Sequence, residues 1–195
     1  VWSVRADRRE GGDTGDPPAS QSRHIAPPWN RQVDAAVCRF SGMIRLVWGD
    51  GVGPTEKAAF DAALDDAGLH QYNLRRLSSV IPADVTVESS GTAPDLGQTG
   101  NVLDVVLAEQ VSHPGARAAA GLAWARDDDG GVFYEVGDTD PETVAELLSA
   151  GIDRGTALRD IHQPVETRVH TADPAPDRYT AAVVAAVYGE SAPLL

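Results

Sequence analysis

Two adjacent serines, Ser78 and Ser79, stand between short apolar runs and ahead of a proline in Asn73-Leu74-Arg75-Arg76-Leu77-Ser78-Ser79-Val80-Ile81-Pro82. Alone, such a pair reads as a polar turn between strands. Held against its own preceding carbonyl, a serine hydroxyl can attack it, and the amide becomes an ester. β-Elimination then breaks the chain and leaves dehydroalanine, which hydrolyses to a pyruvoyl group. Threonine or cysteine could start that attack, but only serine ends as pyruvoyl. The product is a backbone ketone able to do the carbanion-stabilising work usually left to a bound cofactor.

Two other residues have the right chemistry to serve that centre. Asn73 lies six residues before Ser79, and in a strand that even spacing sets both side chains on one face. An amide there can donate to an oxyanion; the plain alternative is a hydrogen bond within a turn. Glu135 sits in Val132-Phe133-Tyr134-Glu135-Val136, where alternation sends Tyr134 and Val136 to the opposite face. An acid among apolar neighbours is desolvated and keeps a proton to donate; the plain alternative is a solvated glutamate on an edge strand. Asp61 is less distinctive. It borders the apolar stripe of a helix, with Leu64 its neighbour three residues on. A carboxylate there can take a guanidinium in a bidentate pair, or it can be one more solvated acid beside Glu56, Asp65 and Asp66.

The elements that must position these residues follow from composition and pattern. At 195 residues with 42% hydrophobic side chains, one domain with a substantial core is expected. Residues 1–38 read as a disordered tail, with turn and linker chemistry in Gly11-Gly12-Asp13-Thr14-Gly15-Asp16-Pro17-Pro18 and too little apolar surface to repay ordering. That tail has no apolar signal core, and no run of about 18 apolar residues occurs anywhere. A lone cysteine, Cys38, excludes an internal disulfide framework, so a cytoplasmic protein is expected. The net charge of -13 argues against a nucleic-acid partner. It suits a cationic small molecule only slightly, since ordinary solubility accounts for it more simply. Five histidines show no metal-ligand spacing, so no metal is expected. The glycine-rich run Gly49-Asp50-Gly51-Val52-Gly53 lacks the lysine and hydroxyl residue of a phosphate loop.

Order is expected from residue 39. A strand covers Met43 to Trp48, Gly49 to Pro54 turns the chain, and a helix runs from Thr55 to a stop at Gly68 with Phe60, Leu64 and Ala67 in its stripe. Strands are expected over Gln71–Leu77 and Asn101–Glu109. Arg117 to Arg126 is ambiguous, because its alanines favour helix. Asp127 to Gly131 turns into a strand from Val132 to Val136. Asp140 caps a second helix with Pro141 at its first position, and Val144, Leu147, Leu148 and Ile152 face inward. Glu166–Thr171 and Tyr179–Tyr188 close the chain as strands. Several strands with two principal helices give an α+β layered αββα sandwich, a single domain that is self-cleaved.

The stretch from Gly51 to Pro82 resembles the pyruvoyl-dependent arginine decarboxylase family. The likeness rests on the glycine turn, the helix Thr55 to Gly68, Asn73-Leu74 and Leu77-Ser78-Ser79-Val80-Ile81-Pro82, and recurs at Gly131-Val132-Phe133-Tyr134-Glu135. It runs, with gaps, from about Met43 to Tyr188, and makes Arg117–Arg126 a strand. The resemblance implies a cut between Ser78 and Ser79 and a covalent pyruvoyl group from Ser79. It gives Asn73 the donor role and makes Glu135 the proton donor. Asp61 would hold the far end of arginine while Leu64 packs its methylenes. Arginine would go to agmatine and carbon dioxide through a Schiff base, in an oligomer of cleaved units, trimer or dimer of trimers, with sites between subunits. Two departures stand out. His70-Gln71-Tyr72 replaces the small or apolar residues usual before the asparagine, so Tyr72 would line the substrate pocket and another amino acid becomes an alternative substrate. Asp104 falls where a proline is usual. The alternative of a different class is an unprocessed, non-catalytic homologue acting as a binding or regulatory subunit.

Overall fold

The computed structural model describes residues 42–195. The tail expected over residues 1–38 and the domain's first residues, 39–41, lie outside the described residues. In chain order the elements are β1 (Met43–Gly53), α1 (Glu56–Asp66), β2 (Asn73–Arg76), β3 (Val80–Ile81), β4 (Thr86–Gly91), β5 (Val102–Ser112), β6 (Ala118–Asp127), β7 (Gly130–Asp138), α2 (Pro141–Ala157), β8 (Glu166–Ala172) and β9 (Tyr179–Tyr188). The fold is mixed α and β, rich in sheet. One sheet has the order β2-β5-β9-β1-β4 and the other β3-β7-β6-β8.

β1 corrects the first expectation. The glycines from Gly49 to Gly53 do not turn the chain; they continue the strand, paired with β9 from Ile44 to Gly53. Their spacing explains them. Gly49, Gly51 and Gly53 share one face, and α1 lies directly on it. A Cβ on Gly51 would sit 2.6 Å from the Ala59 carbonyl oxygen and 2.7 Å from the Ala62 carbonyl carbon. Ala59, Ala63 and Ala67 answer from the helix, all fully buried. Glycine here is a close-approach residue. Thr55 caps α1 by accepting from the Ala58 N–H, and Gly68 closes it with φ of 77°.

Period two decides β6. Alanine favours helix, but here Ala119, Ala123 and Ala125 pack with α2 while Ala118, Ala120, Leu122 and Trp124 join side chains of the other sheet. With both faces covered, a buried, alanine-rich strand fits, and Leu122 and Trp124 fill the wider gaps toward the other sheet. The same alternation sorts β1, β5 and β9. Ile44, Leu46, Val106 and Val184 pack toward β6 and β7, whereas Val47, Leu103, Val105 and Val183 pack with α1. Residues Val80–Ile81 and Thr86–Gly91 are strands that the sequence pattern did not reveal, the first because two residues are too short to show a period and the second because most of its positions are polar and exposed. Asp140 caps α2 as expected, accepting from Glu142 N–H.

Candidate active site at the crossover between the sheets

β2 is parallel to β5, and the pairing continues to Leu77, whose N–H donates to the Val105 carbonyl at 2.9 Å. The chain then leaves the five-stranded sheet and enters the other, where Val80 pairs with Val132 and Ile81 with Gly131. Ser79 makes that crossing with φ of 64°. For a residue with a Cβ, the left-handed region costs about 1–2 kcal/mol, so its surroundings must impose it. They do. The Ser79 carbonyl accepts from the Phe133 N–H at 2.8 Å. The Ser79 hydroxyl donates to Glu135, with Oε1 and Oε2 both 2.9 Å away. One residue on, the Val80 carbonyl accepts from the Tyr188 hydroxyl at 2.9 Å.

Glu135 shares the Phe133 face of β7, and Tyr134 takes the other, as alternation requires. Around the pair opens a cavity of about 670 Å³ lined by Ser78, Ser79, Tyr134, Glu135 and the α2 residues Leu147 and Arg154. Leu147 was expected inside; it is 49% exposed and faces this cavity instead. The desolvation expected for Glu135 is also absent in the single chain, where the residue is exposed. Neighbours along a strand do not bury a carboxylate that stands at an open sheet edge.

The other candidate residues lie elsewhere on the chain. The alternation argument for Asn73 fails, because the ladder ends before Ser79 and the left-handed turn resets the side-chain direction. At about 3.3 Å per residue, the paired run from Asn73 to Leu77 alone spans about 13 Å. The Asn73 amide donates to the Gly100 carbonyl at 2.6 Å. Tyr72 accepts from the Leu96 N–H at 3.0 Å and donates to the Gly97 carbonyl at 3.4 Å. It lines a second cavity, of about 680 Å³, with His70, Gln71, Asp95 and Thr99. His70 Nδ1 lies 2.9 Å from Asp65 of α1. Asp61 is exposed on α1, and Leu64 is 8% exposed, packed into the core beneath that helix. α1 and the Ser79–Glu135 pair are on opposite sides of the five-stranded sheet. Asp104 has a structural explanation: it pairs with Arg75 across β2 and β5, at 2.6 Å and 2.8 Å, and holds that guanidinium above its ordinary value.

Asp50, Asp66 and His170, distant in sequence, place their ligand atoms within 4.8 Å of one another. Those atoms are engaged in ties between elements. His170 Nε2 meets Asp50 at 2.9 Å, and Asp66 accepts from the Asp50 N–H at 3.1 Å.

The pyruvoyl-dependent arginine decarboxylase family model matches residues 43–193, which takes in every strand and helix described above. The chain belongs to that family. Pyruvoyl-dependent arginine decarboxylase of Halobacterium salinarum (strain R1) is 53% identical over 157 residues, covering 77% of this chain and 96% of the relative. The Methanopyrus kandleri protein of the same name is 33% identical over 147 residues, covering 73% and 93%. That of Pyrococcus abyssi is 33% identical over 111 residues, covering 55% and 69%.

Within this family fold, sequence reasoning missed three contributors to the Ser79 site. The Phe133 N–H is a backbone group and leaves no trace in side-chain types. Tyr188 ends a strand recognised only as apolar. The α2 wall had a signal in its interior glycines, Gly151 and Gly155, since glycine in a helix costs about 1 kcal/mol against alanine. For Gly151 the reason is the Tyr134 ring, which lies where a Cβ would stand.

Proposed function

We propose that this chain is a self-processing pyruvoyl-dependent arginine decarboxylase, converting L-arginine to agmatine and carbon dioxide, with Ser79 as the residue that becomes pyruvoyl. The observation that carries this reading is the strained Ser79, with its hydroxyl held 2.9 Å from both Glu135 oxygens, inside the family match. The residues present fit the group. Serine is the residue that leaves a pyruvoyl, its carbonyl is held by Phe133, and an acid or base stands at its hydroxyl.

Processing follows from the same contacts. Oγ attacks the Ser78 carbonyl carbon with its hydroxyl oriented by the hydrogen bond to Glu135; the hydroxyl proton passes to the departing Ser79 nitrogen, the C–N bond breaks and an ester replaces the amide. Loss of the Ser79 α-proton then breaks the Cβ–Oγ bond. This releases Ser78 as a carboxylate and leaves dehydroalanine, which takes up water and loses ammonia. The resulting ketone supplies an electron sink for the substrate's α-amine adduct as carbon dioxide departs. Glu135 then holds the proton needed at the reacting carbon. The Phe133 N–H polarises the Ser79 carbonyl, a fixed dipole at a position where charge develops.

Asn73, Tyr72, Asp61 and Leu64 complete the reading as substrate-side residues, with Asp61 pairing the guanidinium. Because one chain keeps them away from Ser79, they act in the site of a neighbouring copy. The proposal is therefore an oligomer of cleaved units, trimer or dimer of trimers, with each site between two copies. The neighbour also covers Glu135. The fold in this reading is the αββα sandwich, α1 and α2 outermost. A cytoplasmic location rests on the lone cysteine, and no described helix is long and apolar enough to cross a membrane.

The contact of Ser79 with Glu135 disfavours an unprocessed binding homologue, which has no need of it. His70 and Tyr72 keep a second reading in view, the same chemistry on another amino acid. Carbon dioxide release from a panel of common amino acids tests both. Arginine should lead and lysine should be poor, since an ammonium cannot make the planar double contact. Turnover of another amino acid with arginine inert would remove the arginine assignment and keep the chemistry.

A further inference from the structure

At the left-handed turn of Ser79, both carbonyls beyond the scissile bond accept hydrogen bonds. Phe133 fixes the first. The second, on Val80, is fixed by a side chain 108 residues away, the Tyr188 hydroxyl at 2.9 Å. Tyr188 is unusually well anchored. It is the last residue of β9, a strand bonded on both sides by β1 and β5. Its ring meets Phe133 edge-on at 6.4 Å. That places one phenol against both partners of the site, the segment that carries Ser79 and the strand that carries Glu135. β3 itself is only two residues long. Once the link to Ser78 is gone, this short pairing with β7 and the Tyr188 contact are what hold Val80.

We infer that Tyr188 is a positioning residue for this site: its hydroxyl clamps the Val80 carbonyl, keeping Ser79 against Glu135 before the cut and the new chain start in place after it. The inference rests on the reading of Ser79 as the cut residue. Burial and the nearby Glu135 carboxylate raise Tyr188 well above the ordinary tyrosine range. The phenol therefore stays protonated and remains a donor throughout the range in which the enzyme would work. No charge on Tyr188 is needed; a fixed donor on a rigid strand is the whole device.

Tyr188→Phe removes the hydroxyl and keeps the ring against Phe133. Three quantities should be read: the half-time of cleavage of freshly made chain, kcat per pyruvoyl group with KM, and the melting temperature of Tyr188→Phe in an uncleavable Ser79→Ala background. Cleavage should slow about five- to tenfold, the size of one neutral hydrogen bond. On the cleaved fraction kcat should fall by a similar factor with KM unchanged, since Tyr188 does not touch substrate. The melting temperature should stay within a few degrees. Wild-type cleavage and kcat in the folded variant would overturn the inference. So would losses that appear only alongside unfolding in the Ser79→Ala background. If wild-type chain is never cut, the parent reading falls first, and the two failures are told apart.

Discussion

The two cavities around Ser79 and Tyr72 are almost equal in size, about 670 and 680 Å³, and unlike in content. The first joins a strained serine, a carboxylate and a wall on α2 that carries both Leu147 and Arg154. The second is polar, lined by Tyr72, His70, Gln71 and Asp95, and tied to α1 through the His70–Asp65 contact. In the proposed reading, one holds groups that would make and break bonds and the other holds groups that would recognise. Neither alone is a complete site for arginine, since the first offers no carboxylate except the one already used at Ser79. Two half-sites on one chain make sense when copies meet first half to second. On the proposed assembly, a neighbouring copy would cover the Glu135 that is exposed in the single chain.

That contrast can be broken in order of effect. Glu135→Gln strikes the first half. The amide oxygen still accepts from the Ser79 hydroxyl, so the chain should be cut, but the side chain has no proton to give. Turnover should drop about a hundredfold or more, measured as kcat on fully cleaved protein; near-normal kcat would take Glu135 out of the mechanism. Mixing tests the pairing of halves. Ser79→Ala and Asn73→Ala chains, each poorly active alone, should regain activity when co-expressed, because some assembled sites combine an intact Ser79 half with an intact Asn73 half. Activity no greater than the sum of the two would mean the halves do not meet. Asp61→Asn has the smallest effect. It should raise KM for arginine about tenfold while cleavage proceeds normally, the loss of one charged contact in a partly shielded site. Equal damage to cleavage would mean that Asp61 supports the fold instead.

How much of this could be read from the residues differs between the halves. Ser79 and Glu135 are 56 residues apart and meet through β3 and β7 pairing. The local motifs pointed to both residues, although nothing in their spacing required the contact. Asn73 was harder, because parity along a strand is lost where the strand stops, and a left-handed residue leaves no mark in the side-chain pattern. The glycines of β1 were misread as a turn for a related reason. A glycine needed for close approach to α1 looks, in sequence, like one needed for a bend. Leu147 shows the remaining limit, since an apolar residue on a helix can line an open site as well as a core. α2's cap and buried stripe were legible because capping and period are local. The sheet order, which sets the halves apart, is not.

The central claim is that Ser79 is turned into a pyruvoyl group by a cut after Ser78. Intact mass of the denatured protein tests it most directly. The account predicts two fragments, one ending with a free carboxylate at Ser78 and the other beginning with pyruvoyl in place of Ser79, resistant to N-terminal sequencing. Ser79→Ala should give one full-length mass. A single full-length mass for the wild-type chain, or two fragments persisting in Ser79→Ala, would contradict it.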